Sequence, residues 1–321
     1  MCYHEEMTEY HFIVKELSNP ERIDRFLASR IDDFSRTQIQ THIKSGHLTI
    51  NQIVVTKPKY LIANDDHICV TLTHHQDVSW QPQPMNLNIC YEDDHLMIIN
   101  KPRDCVVHPG NGHPDHTLLN GLIHYNPALV DLPRAGIVHR LDKDTTGLMI
   151  IAKQPKAYQI LVQDLADRTI KRVYEAVVVG KIAINGFIDR PIGRHKIKRT
   201  QMSIQPDGRP AQTYYEIIEG FEHYTHIRCR LITGRTHQIR VHMLDRQYPL
   251  VGDPTYHGGY LTPPNCLHPE LRTAIEALGR QALHAKELHL THPITKETLE
   301  LYAKLPEDLQ RLITQLKSHD R

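Results

Sequence analysis

The chain has 321 residues, is 40% hydrophobic and 23% charged, and carries a formal net charge of +1. That length suits two or three domains with their own cores, in a balance ordinary for a soluble globular protein. No apolar run approaches the ~20 residues that span a bilayer. The start, Met1-Cys2-Tyr3-His4-Glu5-Glu6, is polar and acidic, unlike a secretory signal, so a cytoplasmic protein is expected.

Residues 1–20 show no clear period and are expected to be a poorly ordered extension. Ile23, Phe26, Leu27 and Ile31 then recur at helical spacing. Ser35 reads as an N-cap, with Gln38 completing a capping box. Ile39 and Ile43 give this second helix one apolar face, and Gly46 stands where a helix ends. Leu48-Thr49-Ile50 and Ile53-Val54-Val55 read as a hairpin around Asn51-Gln52, with Gln52 where Gly is preferred. A strand at Asp66-His67-Ile68-Cys69-Val70 completes a small α/β domain over 21–73. Residues 74–88, with two prolines and no sustained period, read as a linker.

Residues 89–321 hold many short strand-like runs, among them Leu96-Met97-Ile98-Ile99, Val173–Val179 and Ile227–Ile232. Helical patterns fall at 156–168 and 271–278, and Pro306 opens a last one. Strands and helices do not alternate regularly. The expected class is therefore α+β, with a mixed, largely antiparallel sheet and flanking helices rather than a doubly wound parallel sheet.

The most informative stretch is His139-Arg140-Leu141-Asp142-Lys143-Asp144-Thr145-Thr146-Gly147. It lies between two apolar runs read as strands, Gly136-Ile137-Val138 and Leu148-Met149-Ile150-Ile151. A carboxylate flanked by two cations, on a loop leaving a strand, suits an ionised acid held ready for chemistry. An aspartate's reference pKa of about 4 leaves it charged at neutral pH. Further on, Arg190–Arg199 holds five Lys or Arg and no acid: Arg190, Arg194, Lys196, Lys198 and Arg199. Such a run is a nucleic-acid patch or a solvated loop, and composition alone does not choose. Six cysteines are scattered without a Cys-x-x-Cys, and 24 histidines show no His-Glu-x-x-His. Neither a disulfide framework nor a metal site is expected.

Five segments in order carry a family likeness. Ile99-Asn100-Lys101-Pro102 leading to His108-Pro109-Gly110 comes first, then His139–Gly147, then Lys171-Arg172-Val173-Tyr174-Glu175-Ala176. Thr233-Gly234-Arg235-Thr236-His237-Gln238-Ile239-Arg240-Val241-His242 and Arg280-Gln281-Ala282-Leu283-His284-Ala285 follow. Over about 91–305 these resemble the RluA family of pseudouridine synthases. The basic loop, Asp207-Gly208-Arg209-Pro210-Ala211 and Val251-Gly252-Asp253-Pro254 are similar to its RluD branch. Residues 21–72 resemble an S4 RNA-binding domain through Arg22, Asp24-Arg25, Ser35-Arg36, Gly46, Asn51 and Lys57-Pro58.

The resemblance implies an isomerase that breaks the N1–C1′ bond of an RNA uridine, turns the uracil and joins C5 to C1′, without a cofactor. It implies Asp142 as the catalytic carboxylate, Arg240 as its ion-pair partner, and Tyr174 as a ring that stacks on uracil or relays a proton. Arg140 would enter the RNA stack as the base flips, and Leu283 would line the uracil pocket. His139, Arg36, Arg194, Lys196, Lys198 and Arg199 complete the candidate RNA contacts, His139 chiefly by shaping its loop. The implied substrate is uridine in helix 69 of 23S rRNA, free or in a large-subunit precursor. A monomer with no obligate protein partner is expected. A non-catalytic RNA-binding protein is the first alternative, and it would have no need of Asp142, Tyr174 and Arg240 together. A glycoside or nucleoside hydrolase is the second. It would need another carboxylate across the scissile bond, for which Asp144 is the nearest candidate.

Overall fold

The computed structural model describes residues 7–320 except 16, 18, 32, 33, 35, 74–79, 111, 112, 199 and 259–266. The chain divides into two compact units, Met1–Ser79 and Trp80–Arg321. Among the described residues, no helix is long and apolar enough to cross a membrane.

In the first unit, strands Met7–Ile13, His67–Thr73, Leu48–Ile50 and Ile53–Val54 lie side by side in that order. Ile68, Val70 and Leu72 are buried while Cys69 and Thr71 between them are not, the alternation of a half-buried strand. Helices Ile23–Ala28 and Arg36–Lys44 supply Ile23, Phe26, Leu27, Ile39 and Ile43 to the same apolar cluster. The hairpin turn forms where expected. Asn51 and Gln52 both take left-handed conformations, with φ of 51° and 67°, so the turn twists as an Asn-Gly turn would. The expected cap at Ser35 and Gln38 rests on side chains outside the described residues. The expectation of poor order before 21 is corrected for 7–13, which pairs along its whole length with His67–Thr73. Tyr10 and Phe12 pack on the core, but Ile13 is 53% exposed, and this outward isoleucine blurs the period in the sequence.

Asp24 is buried in this unit and bonded by Arg22, Arg36 and Gln40. Burial opposes its charge, but those three partners outweigh it and hold the carboxyl down to about 2. A lowered folded-state value means that the stabilisation is present above the ordinary carboxylate range and lost as pH falls through the folded value. About 2 kcal/mol is therefore expected to vanish between pH ~4 and ~2. Hydrogen-exchange protection of Ile23–Ala28 and Arg36–Lys44 should fall across that window, and Asp24→Asn should remove the step.

The second unit is built on a nine-stranded sheet. From one edge the order is Gly186–Asp189, Gln212–Gly220, Tyr224–Leu231, Lys171–Val179, Leu283–Thr291, Thr146–Ala152, Leu96–Lys101 and Ile89–Glu92. Thr298–Tyr302 also pairs with Leu283–Thr291. Every pairing is antiparallel but one: Leu283–Thr291 meets Thr146–Ala152 in parallel, through His284–Thr146 and Ala285–Gly147. Helices Leu118–Tyr125, Pro155–Ala166, Gln238–Asp245, Pro269–Leu278 and Glu307–His319 accompany the sheet. The class is the mixed, largely antiparallel α+β expected from the sequence.

That parallel junction explains the last residue of the central motif. Gly147 has φ of 117°, and a Cβ there would lie 2.2 Å from the Ala285 carbonyl oxygen. Gly147→Ala is expected to cost roughly 2–4 kcal/mol, from backbone strain together with overpacking. Gly220→Ala, where nothing lies within 4 Å of the added carbon, should stay within about 0.5 kcal/mol. Thermal unfolding of both variants checks the contrast.

Two further expectations are corrected here. Gly136-Ile137-Val138 is not a strand; Ile137 makes a single bridge to Ile151 after a left-handed turn. Asp142 therefore sits on a loop entering the strand Thr146–Ala152 rather than one leaving a strand. Of the stretch read as a linker, 80–88 lies against the second unit. Trp80, Met85 and Leu87 pack on its core, and Gln83 N–H donates to the Asn120 carbonyl at 3.1 Å.

Candidate active site

Two buried cations hold the backbone of the 142–146 loop. Lys101, 1% exposed, donates from Nζ to the carbonyls of Pro102, Cys105 and Lys143. Burial pushes its ammonium down to about 8. Arg280, fully buried, donates from Nη1 to the carbonyls of Asp144, Gln281 and Leu283, while its other nitrogens grip Asp308 at 2.7 and 2.9 Å. Thr145 and Thr146 are tied by side-chain bonds to Gln281 and His284. His139 anchors the start of the motif, its Nε2 accepting from the Ile150 N–H at 3.0 Å. Burial, with help from Arg172, pushes that imidazole down to about 3, so it stays neutral and keeps its acceptor role.

The loop presents Asp142 to a cavity of about 550 Å³. Arg140, Tyr174, Arg240 and Leu283, widely separated in sequence, line the same cavity, as does part of His139. Arg240 donates from Nη1 to Asp142 Oδ2 at 3.0 Å. Its Nε and Nη2 form a fork onto fully buried Asp253 at 2.6 and 2.9 Å. Asp253 also accepts from the backbone N–H of Thr255 and Tyr256. Burial disfavours the charge on Arg240, but the two carboxylates outweigh it and raise its pKa further. One guanidinium thus serves two carboxylates. Among the described residues, Asp142 Oδ1 has no comparably close cation; His237 Nε2 stands 3.8 Å away. Burial pushes His237 below the usual histidine value, against the pull of Asp142. Asp142 is therefore fixed in orientation while one oxygen stays available to the cavity.

Tyr174 sits at an irregularity that positions it. Opposite Val173 and Tyr174 the register jumps from Glu287 to Ala285, a bulge in the strand that also carries Leu283. The ring is buried, and burial pushes its hydroxyl above the usual tyrosine value. Six arginines line the cavity: 134, 140, 172, 209, 235 and 240. Asp142 is the one carboxylate among the described lining residues. Asp144 does not join it, so the paired carboxylates of a hydrolase are missing from this wall.

The described residues of the basic loop do not line this cavity. Arg194 ends the strand Ile192–Arg194, which pairs with Met202–Ile204, and Lys196 and Lys198 are exposed between them. Arg199 lies outside the described residues. Arg36 is partly committed to its ion pair with Asp24 at 2.8 Å. Sequence reasoning quoted Lys101, His237, Asp253 and Arg280 within motifs but gave them no task. Tyr256 was missed altogether. Its hydroxyl accepts from the Met202 N–H and meets His237 Nδ1, each at 2.7 Å, and Arg240 lies over its ring at 4.8 Å.

The cavity thus combines a rim of arginines with one oriented carboxylate, on a mixed sheet. The model of the RNA pseudouridylate synthase family matches residues 95–245, and the S4 domain model matches 21–68. The chain is 47% identical over 305 residues to Ribosomal large subunit pseudouridine synthase D of Yersinia pestis, covering 95% of this chain and 94% of that protein. To the protein of the same name from Escherichia coli K12 it is 46% identical over 305 residues, covering 95% and 93%. The chain belongs to the RNA pseudouridine synthase family and is an isomerase. Human RNA Pseudouridylate Synthase Domain Containing 4 shares the fold, with a TM-score of 0.57 at 24% identity over 72% of this chain and 93% of that one.

Proposed function

We propose that this enzyme converts uridines of large-subunit ribosomal RNA to pseudouridine, in helix 69 of 23S rRNA, with Asp142 as the reacting carboxylate. The observation that carries the chemistry is the unshared Asp142 oxygen, in a cavity walled by Tyr174 and Leu283 and charged by arginines. The near full-length likeness to proteins named for the large subunit supports the substrate. Arg140, exposed at the cavity, fills the gap in the RNA stack as the uridine turns in. Asp142 then acts at the ribose or the base while the N1–C1′ bond breaks. Tyr174 and Leu283 hold the detached uracil and exclude water until C5 bonds to C1′. The C5 proton leaves to solvent and N1 takes one up, so the isomerisation balances. Arg36, Arg194, Lys196, Lys198 and Arg199 contact the RNA backbone away from the reacting base, where charge supplies affinity. The enzyme works in the cytoplasm as a monomer.

Tritium release from C5-labelled RNA tests this directly. Release from large-subunit rRNA, mapping to helix 69, and none from small-subunit rRNA or tRNA is the expected result. Release from tRNA alone would overturn the substrate, and release of free uracil would overturn the isomerisation.

A further inference from the structure

A second cavity of about 430 Å³ adjoins the first. Arg134, His139 and Arg140 line both, so they form the partition between them. Beyond that partition the walls change character. Val106, Val107, Pro109 and Ile137 give an apolar surface, with the imidazoles of His108 and His113 beside it. The volume is in the range of small-ligand sites, which are mostly apolar with a few placed polar groups. The His108 ring is braced edge-on by Trp80 at 5.5 Å and by its Nδ1 contact with the Pro109 carbonyl, so this wall is held in place.

The partition is built at a cost. Arg134 and Ala135 both adopt left-handed conformations, at φ, ψ of 54°, 34° and 52°, 39°, and Gly136 follows at φ 79°. Two successive non-glycine residues in that region are unfavourable, and such strain gathers at ligand clamps. Its effect is to put an exposed arginine, with no ion pair among the described residues, on the wall of both cavities. None of the sequence motifs includes Arg134.

We propose that the second cavity receives a second unpaired base of the RNA, a near neighbour of the target uridine, while Arg134 and Arg140 hold the sugar–phosphate between the two. This rests on the rRNA substrate proposed above. An apolar floor with imidazole edges suits a nucleobase face, which stacks regardless of sequence, better than it suits a phosphate. The two arginines on the partition suit the charged backbone that must cross it. Occupying both cavities would make the enzyme choose uridines by the looseness of their neighbours, a form of shape readout.

The test uses the full chain and a helix 69 stem-loop in which each nucleotide near the target is made abasic in turn. Single-turnover pseudouridine formation is measured with the wild type, with His113→Trp, which crowds the rim of the second cavity, and with Arg134→Gly. One flanking position should lose about tenfold in rate when its base is removed, on the scale of one stacked base. The same loss should appear with His113→Trp on intact RNA, and combining the two should add little. Arg134→Gly should slow the reaction while leaving the melting temperature equal or higher, because glycine relieves the strained turn. Losses that multiply at every position, or no sensitive flanking base, would overturn the inference with the rRNA reading intact. A drop in melting temperature with Arg134→Gly would make the turn structural and also overturn it. Absence of wild-type turnover on intact RNA would instead overturn the rRNA reading, and this inference with it.

Discussion

Asp142→Asn is expected to lower the single-turnover rate of pseudouridine formation by at least about 10⁴-fold, the scale reached when the central group of a catalytic unit is removed. The amide is nearly isosteric and keeps an oxygen for Arg240, whose position is set mainly by its fork onto Asp253. Fold and RNA affinity should therefore survive, with melting temperature within a few degrees and RNA binding within a few-fold. This separation matters because a positioning role for Asp142 would leave measurable turnover. Rate, binding and melting measured on one preparation distinguish the two. A rate within tenfold of wild type would remove Asp142 from the chemistry.

Arg240→Met has the largest expected effect on stability. Arg240 is 5% exposed, and Asp253 is fully buried with that guanidinium as its counter-charge. Removing one partner of a buried pair leaves an uncompensated charge, at about 3–5 kcal/mol. Thermal unfolding should show a fall of roughly 10 °C, together with near-complete loss of activity. Two further variants sort the causes. Arg240→Lys retains the charge, but one ammonium cannot fork onto Asp253 and also reach Asp142. It should recover part of the stability and little of the rate. Arg240→Met with Asp253→Leu replaces the pair by apolar side chains, which is often neutral or stabilising. It should recover melting temperature and no activity, because Asp142 still lacks its orienting donor. Recovery of activity in that double variant would show that Arg240 serves folding alone.

Local chemistry made part of the molecule legible. The strand runs and the hairpin at Asn51-Gln52 needed only spacing and residue type, whereas Asp142, Tyr174, Arg240 and Leu283 were singled out together through the family resemblance. Features created by convergence were not legible. Arg134, Arg172, Arg209 and Arg235 belong to no basic run, yet they charge the cavity, whereas the described residues of the run at 190–199 do not line it. Val138 and its neighbours read as a strand because they are apolar, but the left-handed turn at Arg134–Gly136 leaves only Ile137 in register with Ile151. Residues 80–88 form no regular element, and over 83–88 half-buried residues alternate with exposed ones as Met85 and Leu87 face the second unit's core. Met85 lies where a Cβ on Gly121 would be 2.7 Å away. Asp253 stood in a quoted motif, but its task is visible only once Arg240 is found between it and Asp142.

The most direct measurement is a pseudouridine map of ribosomal RNA from cells whose only copy of this protein is the Asp142→Asn variant, beside cells carrying the wild type and cells lacking the protein. The account predicts that the variant map matches the deletion, with the same large-subunit uridines unmodified, and that the wild type restores them. Full modification at those positions with Asp142→Asn as the only copy would contradict it.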